Sequence, residues 1–418
     1  MPLRVALLSY RSKPHSGGQG IYVRHLSREL VRLGHQVEVF SGQPLPELDP
    51  GVGLTPLPSL DLYREPDPFR TPHWSEFRSP VDVLEWSIMI TAGFPEPLTF
   101  SLRAWQHLRE RLTEFDVVHD NQCLGYGLLG LRRTGVPVVA TIHHPITVDR
   151  RLELAAAADW KRRYSVRRWY GFTTMQARVA RRLPWLTTVS GAARDEIVTD
   201  FGVNPEQLRV IGVGVDVDTF QPATTDEVVP GRIVTVASAD VPLKGLDDLI
   251  EAIAKLRTER DVELVVVGKL RPGGAAEQSI NRLGLTDAVR FVSGISDADL
   301  AALFRSAEVA VVPSRYEGFS LPAIEAMACG AALVATSAGA LPEVTGPDGH
   351  AVLQVPPSDV EAMTGAIRRI LDDPALRRRL GAAGRARVVE NFTWTRTAQR
   401  TADWYAEAIE AQKRARTC

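Results

Sequence analysis

Twelve short runs of β-branched and aliphatic residues, each followed by a stretch of helical periodicity, constrain this chain more than any other feature. In the first half they are 4–9, 36–40, 116–119, 136–142, 186–189 and 208–211. In the second half they are 233–237, 263–267, 290–292, 309–312, 332–335 and 351–353. Near-continuous apolar strands suit parallel sheets buried on both faces, with helices closing βαβ units. One such helix is legible from Leu246, Leu249, Ile250, Ile253 and Leu256 on a single stripe. The series restarts near residue 231, after a loop rich in Gly, Pro, Asp and Thr. This predicts two doubly wound α/β domains, residues 1–212 and 231–392, joined by a linker at 213–230. The tail 393–418 reads as a helix anchored by Trp394, Trp404, Tyr405 and Ile409, packing back toward the first domain. Ligands of such sheets lie outside the carboxyl ends of the strands, so two facing domains predict a cleft as the site.

Two stretches depart from the rhythm. Residues 44–100 mix many prolines with Tyr63, Phe69, Trp74, Phe77, Trp86, Phe94 and Phe100, and residues 145–185 form an arginine-rich helical insertion. Within the latter, Trp160-Lys-Arg-Arg-Tyr-Ser-Val-Arg-Arg-Trp-Tyr170 is either a solvated charged face or a surface for anionic lipid.

Charge excludes one class of partner. Lys+Arg is 49 against Asp+Glu 50, a net charge of -1, without the basic excess of a nucleic-acid binder. Cys123, Cys329 and Cys418 are too few and too scattered for a disulfide framework or a zinc site. No apolar stretch approaches about 18 residues, and the run 5–8 is too short for a signal-peptide core. These features predict a cytoplasmic protein, with peripheral contact at the inner face of the plasma membrane as an open alternative.

The chemistry concentrates in Pro313-Ser-Arg-Tyr-Glu-Gly-Phe-Ser-Leu-Pro-Ala-Ile-Glu-Ala-Met-Ala-Cys-Gly330. It follows a strand; Pro322 suits the first turn of a helix and Gly330 its C-terminal end. Free backbone N–H groups at that helix start form an anion site. A phosphate held there would keep Glu325 near a ribose and Glu317 near a sugar. The plainer alternative is a surface glutamate and a helix-start glutamate favoured by the macrodipole. Lys244, in Asp240-Val-Pro-Leu-Lys-Gly245, follows a strand and precedes a helix, where an ammonium can meet a diphosphate. Ser16-Gly-Gly-Gln-Gly-Ile21 opens a helix after the first strand, a Gly-rich turn that lets backbone approach phosphate. His143 and His144 end the run 136–142, and Asp120 ends the run before it.

The spacing Glu317-seven residues-Glu325, with Ser314, Glu317-Gly-Phe319, Glu325-Ala-Met-Ala-Cys-Gly330, Pro342-Glu343 and Gly214-Val-Asp216, resembles the retaining glycosyltransferases of family 4. That group includes sucrose synthase-like, PimA-like and glycogen synthase-related enzymes. The resemblance spans nearly the whole chain, is densest over 231–358, and is to an actinobacterial member. It implies the GT-B fold, two Rossmann-like domains. It implies transfer of a hexose from a nucleotide diphosphate sugar, a UDP- or GDP-hexose, to the hydroxyl of a lipid, glycan or small metabolite. By resemblance, Glu325 holds the ribose, Glu317 and His143 position the donor sugar, and Lys244 with Gly17 and Gly18 steadies the diphosphate. The amides of Gly318, Phe319, Ser320 and Leu321 meet the diphosphate or sugar, while Asp120 and His144 are acceptor-side candidates. Ser190 matches a common serine of the family. An arginine usual in the family five or six positions before the lysine is replaced here by Ser238 and Ala239; Lys269 or Arg271 could supply that charge. No Asp-x-Asp stands at a strand end, so neither a metal nor another cofactor is implied. The segments 44–100 and 145–185 are expected to define the acceptor. The alternatives are a nucleotide-sugar epimerase of the same fold and a non-catalytic nucleotide-sugar binder.

Overall fold

The computed structural model describes residues 2–12, 18–64, 66–222, 228–237 and 241–417. They form two compact units, Met1–Val189 with Ala193–Ile211 and Thr397–Cys418, and Ser190–Ala192 with Gly212–Arg396.

The first unit is built on seven strands: β1 (Arg4–Ser9), β2 (Gln36–Ser41), β3 (Gly53–Pro56), β4 (Val117–Asn121), β5 (Val138–Ile142), β6 (Trp185–Thr188) and β7 (Leu208–Val210). All pair in parallel, in the order β3-β2-β1-β4-β5-β6-β7. Val5, Ala6, Leu7 and Leu8 are fully buried, as are Val117 and Val118. A strand covered on both faces has no solvent side, which is why its sequence does not alternate. β3 has no counterpart among the sequence runs. It lies at the sheet edge, pairs only with β2, and leaves Leu54 39% exposed. With little to bury, its Gly-Leu-Thr-Pro carries no apolar run.

Helix α1 (Gly18–Arg32) follows β1 and packs Tyr22, Val23, Leu26 and Leu30 inward. The proline-rich departure contains α2 (Pro80–Ile90), started by a reciprocal Ser79–Asp82 capping box with Pro80 in its first turn, and α3 (Glu96–Leu108). The arginine-rich departure folds into α4 (Thr147–Ala156), α5 (Trp160–Trp169) and α6 (Phe172–Ala180).

The second unit carries β8 (Arg232–Val236), β9 (Glu263–Val267), β10 (Val289–Val292), β11 (Val309–Val312), β12 (Leu333–Thr336) and β13 (Val352–Val355). Its parallel order is β10-β9-β8-β11-β12-β13. The amphipathic α7 (Leu246–Arg257) buries Leu246, Leu249, Ile250, Ile253 and Leu256, the stripe read from sequence. The short α8 (Leu321–Ala328) follows β11. Both units are thus parallel, doubly wound α/β folds. In each, crossovers leave in opposite directions from two adjacent central strands, β1/β4 and β8/β11. Those two switch points are where such sheets open a crevice at their carboxyl ends.

The C-terminal helix Trp394–Thr417 contributes residues from 397 onward to the first unit. Tyr405 is fully buried and its hydroxyl lies 2.5 Å from His119 Nδ1 on β4, while Arg209 stacks over Trp404 at 4.0 Å and pairs with Glu407. Among the described residues, no helix is long and apolar enough to cross a membrane. Tyr405→Phe leaves buried His119 Nδ1 without its partner. It should cost about 1–3 kcal/mol, read by calorimetry as a lower melting temperature.

Candidate active site

In the second unit the functional side chains gather at the β8/β11 switch point. The turn Pro242–Lys244 ends at Gly245, whose φ is 61°. A Cβ on Gly245 would lie 2.1 Å from the Pro313 carbonyl oxygen, so only glycine lets this turn press against the end of β11. Arg315 stitches the two loops together: its N–H donates to Leu243 O at 2.8 Å and its Nη1 to Pro242 O at 3.0 Å. It is fixed in turn by Asp248 at 2.7 Å. The consequence is one contact. Lys244 Nζ donates to Glu317 Oε1 at 2.8 Å, and Ser314 Oγ donates to the same oxygen at 2.7 Å. Glu317 is 9% exposed, and its carbonyl accepts from Ala340 N–H at 2.9 Å. Lys244 keeps two further N–H donors with no acceptor among the described residues.

Gly318, Phe319, Ser320 and Leu321 run from Glu317 into the start of α8. None of their four amides donates to a described residue. Ser320 adopts φ 88°, ψ 83°, a strained setting for a side-chain-bearing residue, and its Oγ is buried without a partner. A helix start with its amides unclaimed and an ammonium alongside is an anion site. Glu325 lies one turn along α8. Burial pushes its carboxyl up to about 8, with Asp297 adding to the effect, so the free chain holds it protonated near neutrality. Within this unit, Ser190 Oγ donates to Gly318 O at 2.6 Å, and Gly191 N–H donates to Glu343 Oε2 at 2.7 Å. Lys269 and Arg271 are exposed beyond the carboxyl end of β9, next to β8. Ser238 and Ala239 lie outside the described residues.

In the first unit the matching position is the β1/β4 switch point with neighbouring β5. His143, just past β5, is fixed three ways. Its N–H donates to Gln122 Oε1 at 2.8 Å, its Nε2 lies 2.8 Å from Asn121 Oδ1, and its ring meets Tyr22 edge-on at 4.7 Å. Asn121 Nδ2 donates to Gln19 O on α1, so Oδ1 faces the imidazole as acceptor and His143 Nε2 carries the proton. Burial, with His144 adding to it, lowers the imidazole to about 3. His143 is therefore neutral at physiological pH, with Nδ1 left as an acceptor. This arrangement suits binding and orienting a hydroxyl, not shuttling a proton.

Gly18 opens α1, exposed and with no atom within 4 Å of where its Cβ would lie; Gly17 lies outside the described residues. His144 is half-exposed, 3.7 Å from Asp149. Asp120 does not face outward. It is fully buried, and its Oδ2 accepts from Leu124 N–H at 2.9 Å. It secures a loop in which Gln122 and Leu124 both have positive φ. Asp120 thus holds the loop that presents Gln122 to His143. Sequence reading placed Asn121 at the acceptor-facing strand end without its role of orienting His143, and missed Gln122, Tyr22 and Arg315, because amide, phenol and guanidinium groups that orient a neighbour carry no spacing pattern. Among the described residues, no cluster of three or more His, Cys, Asp or Glu could hold a metal ion.

Residues 16–219 match the family model Glycosyltransferase Family 4, and residues 219–387 match Glycosyl transferases group 1. The chain is 59% identical over 408 residues to the MMP alpha-(1->4)-mannosyltransferase of Mycolicibacterium hassiacum, covering 97% of this chain and 98% of that protein. Among solved structures it resembles sucrose-phosphate synthase from Thermosynechococcus elongatus, with TM-score 0.73 and 24% identity over 98% of this chain and 100% of that one. It also resembles Anabaena HepE in complex with UDP-glucose, with TM-score 0.69 and 18% identity over 98% of this chain and 100% of that one. These two likenesses establish the GT-B fold.

Two measurements probe the site. Gly245→Ala should lose about 1–3 kcal/mol of stability, seen as a lower calorimetric midpoint for the second unit. For Glu325 the folded value lies above the unfolded 4.5. Folding therefore retains a proton between about 4.5 and 8, and stability falls as pH rises through that window. Glu325→Gln removes this slope: its melting temperature relative to the wild type should climb from pH 4.5 to 8 and level off above.

Proposed function

Because this chain belongs to glycosyltransferase family 4, and is a glycosyltransferase, we propose that it moves a mannosyl residue from a nucleotide diphosphate sugar to a sugar hydroxyl with retention, forming an α(1→4) bond. The sugar and linkage rest on the 59% identity with a named α(1→4)-mannosyltransferase over nearly the full length of both chains. The single observation that carries the donor class is the anion site at α8. Four unclaimed amides and Lys244, held 2.8 Å from Glu317, match a diphosphate with a sugar at one end and a ribose at the other. The HepE complex with UDP-glucose provides a precedent on the same fold for a donor of this class.

The second unit acts on the leaving group. As the anomeric carbon–oxygen bond breaks, negative charge grows on the diphosphate, where Lys244 and the 318–321 amides stabilise it. Glu317 holds the ammonium extended in advance and offers its second oxygen to a donor hydroxyl. The acceptor oxygen bonds the anomeric carbon on the face the phosphate leaves, and its proton passes to the departing phosphate oxygen. Neutral His143 accepts a hydrogen bond from a sugar hydroxyl. The epimerase and binding-only alternatives are not favoured, since the match nearest in length and identity reported above is a transferase.

The test is incubation of the purified chain with GDP-mannose, UDP-glucose and other nucleotide sugars plus an α-mannoside, followed by mass spectrometry and NMR of the product. A mannosylated product with an α linkage at O4 is expected. Lys244→Ala should lower kcat about 100-fold while leaving the fold intact. An epimerised sugar without acceptor, a β-linked product, or no transfer from any donor would overturn the reading.

A further inference from the structure

The two departures from the α/β rhythm have a topological consequence. α3 is the helix that returns to β4, and α6 is the one that returns to β6. The segment 57–95 is therefore spliced in beyond the carboxyl end of β3, and α4 and α5 beyond the carboxyl end of β5. Both lie on the ligand side of the sheet, and His143 lies four residues before α4.

They meet in a groove of about 530 Å³, lined by Phe69, Met89, Ile90, Glu153, Val166 and Trp169 among others. Its aromatic shelf is continuous. Tyr63 meets Phe69 at 5.4 Å and Trp169 at 5.8 Å, both edge-on, and Trp169 meets Phe94 at 5.1 Å. Phe69 is 59% exposed and Ile90 56%. Phe69 is also strained: φ is 66°, a region bulky side chains avoid, and its N–H donates to Leu62 O at 2.7 Å. A backbone held in an unfavourable conformation to display a large ring to solvent points to something that covers the ring.

The polar groups of the groove say what covers it. Glu153 Oε1 accepts from Tyr170 OH at 2.7 Å, and Arg162 Nη2 donates to Glu153 Oε2 at 3.2 Å. The two charges compensate each other, so the groove offers hydrogen bonds without net charge. Exposed rings beside a neutral, hydrogen-bonding rim complement a pyranose, which has apolar C–H faces and hydroxyl edges. They do not complement an anion. Resting on the transferase reading above, we propose that this groove is an acceptor subsite that binds the non-reacting units of a neutral oligosaccharide. Trp169 and Phe69 stack on sugar faces there, and Arg162 and Glu153 meet hydroxyls. The preferred acceptor is then a chain of several sugars.

The experiment compares an α(1→4)-linked mannotetraose with methyl α-mannoside in the full-length enzyme, by kinetics and by calorimetric titration of the sugars alone. Wild type should show a much lower KM for the tetramer than for the monomer. Phe69→Ala and Trp169→Ala should raise the tetramer KM about tenfold, leaving kcat and the monomer and donor KM unchanged. Phe69 is exposed, so its variant keeps the test valid if Trp169→Ala misfolds. Equal KM values for the two acceptors in wild type, or an unchanged tetramer KM in folded Phe69→Ala, would overturn the subsite while leaving the transferase reading intact. Tetramer binding that the variants abolish, without turnover by wild type, would uphold the subsite and sink the transferase reading. Adsorption to anionic phospholipid vesicles that Phe69→Ala abolishes, with an unchanged tetramer KM, would assign the groove to a membrane and overturn the proposal.

Discussion

A parallel sheet buried on both faces can keep polar chemistry only at the ends of its strands. The loops that carry Lys244, Glu317 and His143 follow that constraint, and Tyr22 and Glu325 sit on the helices that start just beyond such ends. β4, β5 and β11 are buried along their length, and the first ionisable or amide side chains appear at His119 to Gln122, at His143 and at Ser314 to Glu317. The order β3-β2-β1-β4 and its repeat β10-β9-β8-β11 then concentrate those ends at one switch point per unit. Lys244 and Glu317 are 73 residues apart in the chain, yet they meet because β8 and β11 are neighbours and Gly245 lets their loops touch.

That constraint also explains what could be read from sequence. Buried parallel strands announce themselves as apolar runs, so all twelve runs are strands, and the exposed edge strand β3 is the one that went unread. The Glu317–Glu325 spacing was legible through its resemblance to the family 4 signature, and the structure sets the two residues in the loop after β11 and one turn into α8. Asp120 was not legible. Its position at a strand end looks like that of a ligand contact, and only the fold shows its carboxylate turned inward onto Leu124 N–H. The orienting partners Gln122 and Arg315, and the orienting role of Asn121, were hidden for a related reason: they arise from contacts across strands, which no local pattern records.

The two departures from the rhythm follow a different rule. Apart from the edge strand β3, neither adds to the sheet, and much of each lies outside the strands and the helices α3 and α6 that return to them. Both are spliced in on the side where ligands bind. Four of their aromatic residues, Tyr63, Phe69, Phe94 and Trp169, form one cluster, joined by Phe172 of α6. A subsidiary cluster that leaves Phe69 more than half exposed, beside an equally exposed Ile90, is poorly explained by stability alone.

Charge balance separates the two units. The second unit places two carboxyl groups near an anion site, an arrangement that would repel a diphosphate if both were free carboxylates. Neither is. Glu317 is neutralised by Lys244 and Ser314, and Glu325 by the proton that burial lets it keep. The attraction that remains comes from the backbone amides at 318–321 and from the spare donors of Lys244. These need no reorganisation as charge develops on a leaving phosphate. At the β4–β5 end of the first unit burial holds His119 and His143 neutral and pushes the Asp120 carboxyl, turned inward onto Leu124 N–H, up to about 7. On the proposed reaction, the unit that would face growing negative charge is built from fixed dipoles and one cation. The end of the sheet that carries His143 presents a neutral imidazole held by the amides of Asn121 and Gln122.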